Sequence, residues 1–394
     1  MPATSDAEYM GAALALAARG LGDTWPNPAV GCVIVKDGLV IGRGWTQSGG
    51  RPHAETEALQ RAGAAAKGAT AYVSLEPCSH HGKTPPCAEA LIAAGIGRVV
   101  SATTDPDSRV SGQGLATLRA AGIEVVEGVG KADADRLNAG FFTRIAKNRP
   151  LFALKTATSL DGRIALANGE SKWITGPAAR HANQSIRARF DAVLVGSETV
   201  RQDDPELTCR LPGYAGRPKV RIVLDRRLRT DIERKVTHTK VAPTWIYTTS
   251  HNPAASGPLR DAGVQVIAID PSPQPSPLSG RRPAEFMSAR LRRDGGEGAE
   301  RERSGEGFLT AVAADLSAKG LTRVLVEGGG QVAAGLHRAG LIDELYWFRG
   351  GQVLGGDGRP TVAALGLDRL SDAPQFKRRE ALRLGEDILE IFSR

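Results

Sequence analysis

The feature that most constrains this chain is a regular alternation of helical periodicity with short β-branched runs, broken once at a proline. A helix at 8–19 precedes the strand Ala29–Lys36, and a helix His53–Ala65 precedes the strand Thr70–Leu75. Helices near 87–94 and 112–121 then alternate with the strands Arg98–Ala102 and Glu124–Glu127. That rhythm predicts an α/β sandwich over the first 146 residues. It breaks at Lys147–Pro150, since proline cannot continue a helix, and restarts with the strand Leu151–Ala157. Two domains are expected, 1–146 and 150–394, which suits a length of 394 residues, more than one core usually organises.

The second domain reads as another α/β unit. Its predicted strands are Ala192–Val195, Val220–Leu224, Thr244–Tyr247, Val264–Ile269 and Arg323–Val326, with helices such as Pro177–Arg189 between them and further sheet from Glu344 onward. Residues 271–307 differ: a Pro-Ser-Pro-Gln-Pro-Ser-Pro run leads into Arg, Gly, Glu and Asp with almost no apolar residue. Such a segment buries too little surface to offset its ordering entropy, and it is expected to be a disordered insertion. An arginine-rich tether for RNA or a protein partner is the alternative.

The chemistry lies in His53-Ala54-Glu55, then Glu76-Pro77-Cys78, then Cys87 after eight intervening residues. One imidazole and two thiolates make a three-ligand set whose open fourth position can hold water, the pattern of catalytic rather than structural zinc. Zinc lowers the pKa of such a water toward about 7. Glu55 is not needed as a ligand and is placed to carry protons between that water, a ring and a departing amine. Cys87 is expected to open a helix and gain thiolate stabilisation from the helix N-terminus. His80 and His81 are rival ligands, although adjacent loop residues rarely bind one ion. Cys32 and Cys209 read as ordinary packing cysteines.

Four cysteines at irregular spacing do not make a secreted disulfide framework, so a reducing, cytoplasmic setting is expected. Asp6 and Glu8 precede the first helix, unlike the basic opening of a signal peptide, and no stretch reaches the roughly 20 apolar residues of a spanning helix. The net charge of +8 owes much to Arg281–Arg303 and shows no stripe interleaved with aromatics, so it does not call for nucleic acid; an anionic small molecule explains it equally well.

Three segments carry a family resemblance: Pro26-Asn27-Pro28-Ala29-Val30-Gly31, Pro52-His53-Ala54-Glu55, and the run Leu75 to Cys87 with its eight-residue spacer. Most zinc deaminases space the two cysteines only two residues apart. The chain resembles the bifunctional riboflavin-biosynthesis proteins, which join a zinc-dependent pyrimidine deaminase to an NADPH-dependent reductase. The second half is similar too, through Lys155, Thr158–Arg163, Glu170–Thr175, Asp203–Thr208 and Val326–Gly330.

The resemblance implies a cytidine-deaminase-like α/β/α sandwich followed by a dihydrofolate-reductase-like α/β domain. It implies deamination of 2,5-diamino-6-ribosylamino-4(3H)-pyrimidinone 5′-phosphate, then hydride delivery from NADPH to turn ribosyl into ribityl. By correspondence Asn27 and Lys83 bind substrate in the deaminase, Lys83 at the phosphate. Ser171, Arg187, Leu207, Arg210 and Glu327 fall at substrate positions of the reductase. Ala157, Trp173, Thr199, Asp203, Gly329, Gly330, Gln331, Val332, Ala333, Ala334 and Gly335 fall at cofactor positions. A homo-oligomer is plausible for the family.

The residue chemistry agrees in part. Lysine is uncommon inside an apolar strand, so Lys155 reads as a substrate contact. Gly328–Gly330 lie between a strand and the helix Gln331–Ala339, where backbone N–H groups can receive a cofactor phosphate. Two departures stand out: the 271–307 insertion has no counterpart, and Arg226 replaces a smaller residue often found beside the cofactor. A nucleic-acid base deaminase would predict closer cysteines and stacking aromatics, and would leave the second domain unexplained. A zinc-stabilised binding protein would predict a fourth protein ligand.

Overall fold

The computed structural model describes residues 5–80, 85–107, 111–270 and 297–394. Two compact units divide the chain: Met1–Asn148 with Ala215–Arg217 and Gly320–Thr322, and Arg149–Tyr214 with Pro218–Lys319 and Arg323–Arg394.

In the first unit the chain order is α1 (Asp6–Ala17), β1 (Gly31–Lys36), β2 (Leu39–Trp45), α2 (Ala54–Ala62), β3 (Thr70–Val73), α3 (Cys87–Ala93), β4 (Arg98–Ser101), α4 (Gln113–Ala120), β5 (Glu124–Glu127), α5 (Lys131–Leu137) and α6 (Ala139–Lys147). The sheet order is β2-β1-β3-β4-β5, with β1 antiparallel to both neighbours and β3, β4 and β5 parallel. Side chains alternate across the pleat, so Cys32 and Ile34 join one core with Ala54, Ala58 and Leu91, while Val33 and Val35 join another with Met10 and Ala134. Helices therefore cover both faces. α1 starts two residues earlier than its periodicity suggests, because Ser5 and Glu8 form a reciprocal capping box.

Strand β2 is absent from the pattern read in the sequence. It contains Gly42 and Gly44, and a methyl group at Gly44 would lie 2.2 Å from the Ala54 carbonyl oxygen and 2.7 Å from the Ala58 amide nitrogen. Glycine weakens strand propensity, yet here it lets α2 lie directly on the strand. Gly44→Ala is expected to push α2 away and cost about 3 kcal/mol, as overpacking against backbone does. A thermal melt of the purified variant checks this: an unshifted transition would refute the close-packing argument.

The second unit has a nine-stranded sheet. Its chain order is β6 (Leu151–Thr158), β7 (Arg163–Ala165), α7 (Pro177–Ala188), β8 (Ala192–Gly196), α8 (Ser197–Asp203), β9 (Val220–Leu224), β10 (Thr244–Thr248), α9 (Pro253–Asp261), β11 (Gln265–Ala268), the helix Glu297–Ala318, β12 (Arg323–Val326), the helix Gly330–Arg338, β13 (Ile342–Arg349), β14 (Arg359–Pro360), β15 (Lys377–Leu384) and β16 (Asp387–Ser393). The sheet order is β11-β10-β9-β8-β12-β6-β13-β16-β15. Pairing is parallel from β11 through β13 and antiparallel beyond it; β7 pairs with β14 apart from the main sheet. Proline opens α7 and α9, where a missing N–H costs nothing, and Asn252 caps α9.

One correction concerns the 271–307 segment. Residues 271–296 lie outside the described residues, but from Glu297 the chain is helical through Ala318. Phe308, Val312, Ala313 and Leu316 are buried along that helix. They anchor it at its C-terminal half, and the Glu, Ala and Arg content before them suits its extension.

Candidate functional site

In the first unit β3 delivers the chain through Glu76 and Pro77 to Cys78, α3 begins with Cys87, and His53 stands immediately before α2. His53 Nδ1 lies 3.7 Å from Cys78 Sγ and 3.3 Å from Cys87 Sγ, and the three donor atoms all lie within 4.8 Å of one another. Tetrahedral zinc with ordinary Zn–S and Zn–N lengths needs donor separations of about 3.5–3.8 Å. The residues present therefore fit the ion. Among the described residues, these three form the group of His, Cys, Asp and Glu side chains able to hold a metal.

The electrostatics differ from the sequence expectation at one point. The first amide of α3, that of Cys87, donates to Cys78 Sγ at 3.3 Å, so the helix N-terminus serves the other cysteine. A hydrogen bond from the Cys87 thiol, with further help from His53 and that amide, holds the Cys78 thiol well below its ordinary range. Cys87 moves the opposite way, through its bond to Cys78 and through burial. An ion bound there would take both sulfurs as thiolates, so its binding would release protons.

Glu55, in the first turn of α2, is buried beside the Cys87 thiol. Burial pushes its carboxyl pKa up, with His53 pulling it back. A carboxyl so placed holds a proton more readily than a surface carboxylate does and can return it.

Around this centre, Asn27 is half-buried and its amide donates to the Gly50 carbonyl at 2.9 Å. Lys83 and His81 lie outside the described residues, and His80 is exposed. Three supports carried no signal in the sequence. Asn138 is buried and bonds both the N–H and the C=O of Ala29 at 3.0 Å, fixing the end of the Asn27 loop. Glu76 is buried and accepts from the amides of Asp105, Gly112 and Gly114 at 3.2, 2.9 and 2.9 Å, which ties the Cys78 approach to the start of α4. Asp105, whose amide donates to Glu76, is itself buried, which pushes its carboxyl pKa up to about 6.

In the second unit Lys155 and Ala157 share one face of β6. Arg187, in the last turn of α7, meets Glu327, just beyond β12, through two parallel bonds, Nε to Oε1 at 3.0 Å and Nη2 to Oε2 at 2.9 Å. Both side chains are buried, and a third N–H of Arg187 goes to the Thr208 carbonyl. Burial alone would push the Glu327 pKa up, but Arg187 and Lys155 outweigh it and hold the carboxylate below its usual value. Burial pulls the Lys155 ammonium down, with Glu327 opposing. Arg187, Glu327 and Lys155 are therefore one electrostatic cluster.

The other expected positions spread around that cluster. Ser171 is half-buried in the turn before Trp173, whose exposed indole carries the Arg180 guanidinium 4.4 Å from its ring. Thr199 is half-buried on α8, and Asp203 is exposed at that helix's end. Arg210 is exposed and pairs with Glu206 at 3.6 Å. Leu207 turns its side chain into the core with Val193 and Val223. Arg226 sits over Phe308, 5.8 Å from the ring centre.

The glycine run divides by role. A methyl at Gly328 would strike Val332 at 2.9 Å, and one at Gly330 the Pro360 carbonyl at 2.7 Å; Gly329 faces open space. Two of the three glycines thus serve packing, and Gly329 stands at the start of the helix Gly330–Arg338, where a phosphate can approach. Of the remaining stretch, Gln331 is exposed, Val332 and Gly335 are half-buried, and Ala333 and Ala334 are sealed in the core.

Together the two units define an enzyme in which a zinc deaminase domain and a reductase domain share one chain. Residues 3–103 match the cytidine and deoxycytidylate deaminase zinc-binding region, and residues 150–263 and 308–389 match the RibD C-terminal domain. The chain is 40% identical to the riboflavin biosynthesis protein RibD of Escherichia coli K12, over 97% of this chain and 98% of that one. RibD of Acinetobacter baumannii superposes with a TM-score of 0.82 at 36% identity, covering 98% of each chain. A Thermotoga maritima structure described as a diaminohydroxyphosphoribosylaminopyrimidine deaminase/5-amino-6-(5-phosphoribosylamino)uracil reductase superposes at 0.78 and 34% identity, again over 98% of each chain. The chain belongs to the RibD family of bifunctional riboflavin-biosynthesis enzymes, with a zinc-binding deaminase domain and an NADPH-using reductase domain.

Proposed function

We propose that the first unit hydrolytically deaminates 2,5-diamino-6-ribosylamino-4(3H)-pyrimidinone 5′-phosphate and that the second reduces the ribosyl group of the product to ribityl. The observation that carries this reading is the convergence of His53, Cys78 and Cys87 beside the buried Glu55.

In this reading His53, Cys78 and Cys87 hold zinc, which when bound lowers the pKa of a water at its open position toward about 7. Glu55 would take a proton from that water and pass it to the ring nitrogen, then take the proton of the new C–OH and deliver it to the departing amine, which leaves as ammonia while the C=O forms. Asn27 orients the pyrimidine, and Lys83 meets the phosphate as a point charge.

In the reductase NADPH supplies the hydride. Arg187 and Glu327 hold each other rigid at the bottom of the site, so that Glu327 and Lys155 meet the substrate in a fixed geometry. Lys155, with its pKa pulled down by burial, can release a proton more readily than a surface lysine. Arg210 and Ser171 complete the substrate contacts, with Leu207 supporting that wall from the core. Ala157, Trp173, Thr199, Asp203 and the stretch Gly329, Gly330, Gln331, Val332, Ala333, Ala334 and Gly335 form the cofactor side, Ala333 and Ala334 by supporting it from the core. The enzyme is cytoplasmic and homo-oligomeric in this reading. In the described residues no helix is long and apolar enough to cross a membrane.

The test is metal analysis with ammonia release from the phosphorylated diaminopyrimidinone, with and without NADPH. Near-stoichiometric zinc, ammonia without NADPH, and NADPH oxidation afterwards are expected. Chelation should stop ammonia release while sparing reduction of supplied deaminated substrate. Zinc without ammonia would point to another substrate or a structural ion, and ammonia without NADPH oxidation would remove the reductase assignment.

A further inference from the structure

After β6 the chain makes the turn Ser159–Gly162, and after β13 it makes the long glycine-rich loop 350–358. The two are bound together chiefly by one side chain. Asp161 Oδ1 accepts from the Ser159 hydroxyl at 2.6 Å and from the Leu354 amide at 3.1 Å, while Oδ2 accepts from the Gly355 amide at 2.8 Å. The Leu160 amide donates to the Gln352 carbonyl at 2.6 Å, and the Gln352 side chain reaches the Trp173 carbonyl at 3.4 Å. Beyond β14, the Ala363 amide bonds to the Gly330 carbonyl at 3.0 Å. The loop 350–358 thus touches the turn after β6 and the Trp173 segment.

Three large apolar side chains stand exposed where these segments meet: Leu160 at 56%, Trp173 at 64% and Val353 at 68%. Large apolar side chains left exposed on segments that a hydrogen-bond network holds to one another offer a surface for a ligand. The carboxylate that organises them is held down to about pH 2 by its hydrogen bonds, the Ser159 hydroxyl foremost, so the arrangement is constant across the working range.

We propose that Asp161 is a positioning residue of the reductase: it fixes the Gln352–Gly355 segment so that Leu160, Trp173 and Val353 form one apolar platform for the flat nicotinamide end of the dinucleotide. This rests on the reductase assignment above. Asp161 touches no reacting atom; it acts through the loop. Without it, Leu354 and Gly355 lose their shared acceptor, and a loop this rich in glycine has many other conformations available.

The test is NADPH binding to the full chain by isothermal titration calorimetry, with NADPH KM and kcat measured separately. Asp161→Ala is expected to weaken NADPH binding about tenfold, as loss of charge-assisted bonds does, and to raise KM more than it lowers kcat. Asp161→Asn, which keeps one acceptor oxygen, should fall between it and the wild type. Ammonia release should be unchanged in both. Leu160→Ser and Val353→Ser leave the network intact at exposed positions, so they should weaken NADPH binding several-fold without shifting Tm. They keep the proposal testable if Asp161→Ala folds poorly. Wild-type affinity in Asp161→Ala with a lowered Tm would mean that the residue only stabilises the turn, and wild-type affinity in the two serine variants would remove the platform. Absence of NADPH binding by the wild-type protein would instead overturn the reductase assignment itself.

Discussion

Glu55→Gln is expected to slow ammonia release by about a thousandfold, the scale of a lost general acid–base residue, with zinc content and reduction of supplied deaminated substrate unchanged. Glutamine matches glutamate in shape, so the buried site beside Cys87 keeps its packing, but the amide cannot accept and return the proton. His53, Cys78 and Cys87 are untouched by the change, which is why metal analysis is the control. Ammonia release at the wild-type rate would show that proton transfer runs through another group. Loss of both activities would show that the sites are not independent.

The second large effect is on stability. Arg187→Ala strands the Glu327 carboxylate in a buried position, and breaking a buried pair in this way costs about 3–5 kcal/mol. For a unit of this size that lowers Tm by about 10 °C, read most directly by calorimetry. Reduction should fail as well, because Glu327 loses its fixed orientation. The double variant Arg187→Met, Glu327→Leu separates the two consequences. Replacing a buried ion pair by apolar groups of similar volume is often neutral, so stability should largely return while reduction stays lost. A single variant that melts like the wild type would contradict the buried pair, and a double variant that still oxidises NADPH would remove Glu327 from the chemistry.

The legibility of the two sites differs for a physical reason. In the deaminase each ligand follows a proline, and two of the three sit at helix starts, so local sequence announces them: His53 after Pro52, Cys78 after Pro77, Cys87 after Pro86. Their mutual distances could not be read, nor which thiol receives the α3 amide. Glu76 and Asn138 were illegible because a buried carboxylate or amide is recognised by the amides it meets, and those lie 29–38 and 109 residues away along the chain.

In the reductase the pairing of Arg187 with Glu327 spans 140 residues, and only family resemblance suggested either. The close packing of Gly328, Gly330, Ala333 and Ala334 became clear only in three dimensions. Strand β2 escaped notice because its glycines lower the local β signal in favour of a close helix–strand contact. The helix Glu297–Ala318 escaped because its charged N-terminal half has no apolar periodicity, while its anchor, Phe308 to Leu316, lies beyond it.

By itself the sequence determined what local periodicity and short motifs encode: two α/β segments, a break near Pro150, and a His–Cys–Cys set with a nearby glutamate. These depend on residues close in the chain, where hydrophobic period, capping and proline act directly. The tertiary structure alone decided which thiol is the more acidic, which arginine neutralises which buried carboxylate, and how Asp161 ties the turn after β6 to the loop 350–358. Each of those depends on burial and on partners brought together by folding, and neither is written in any short stretch of sequence.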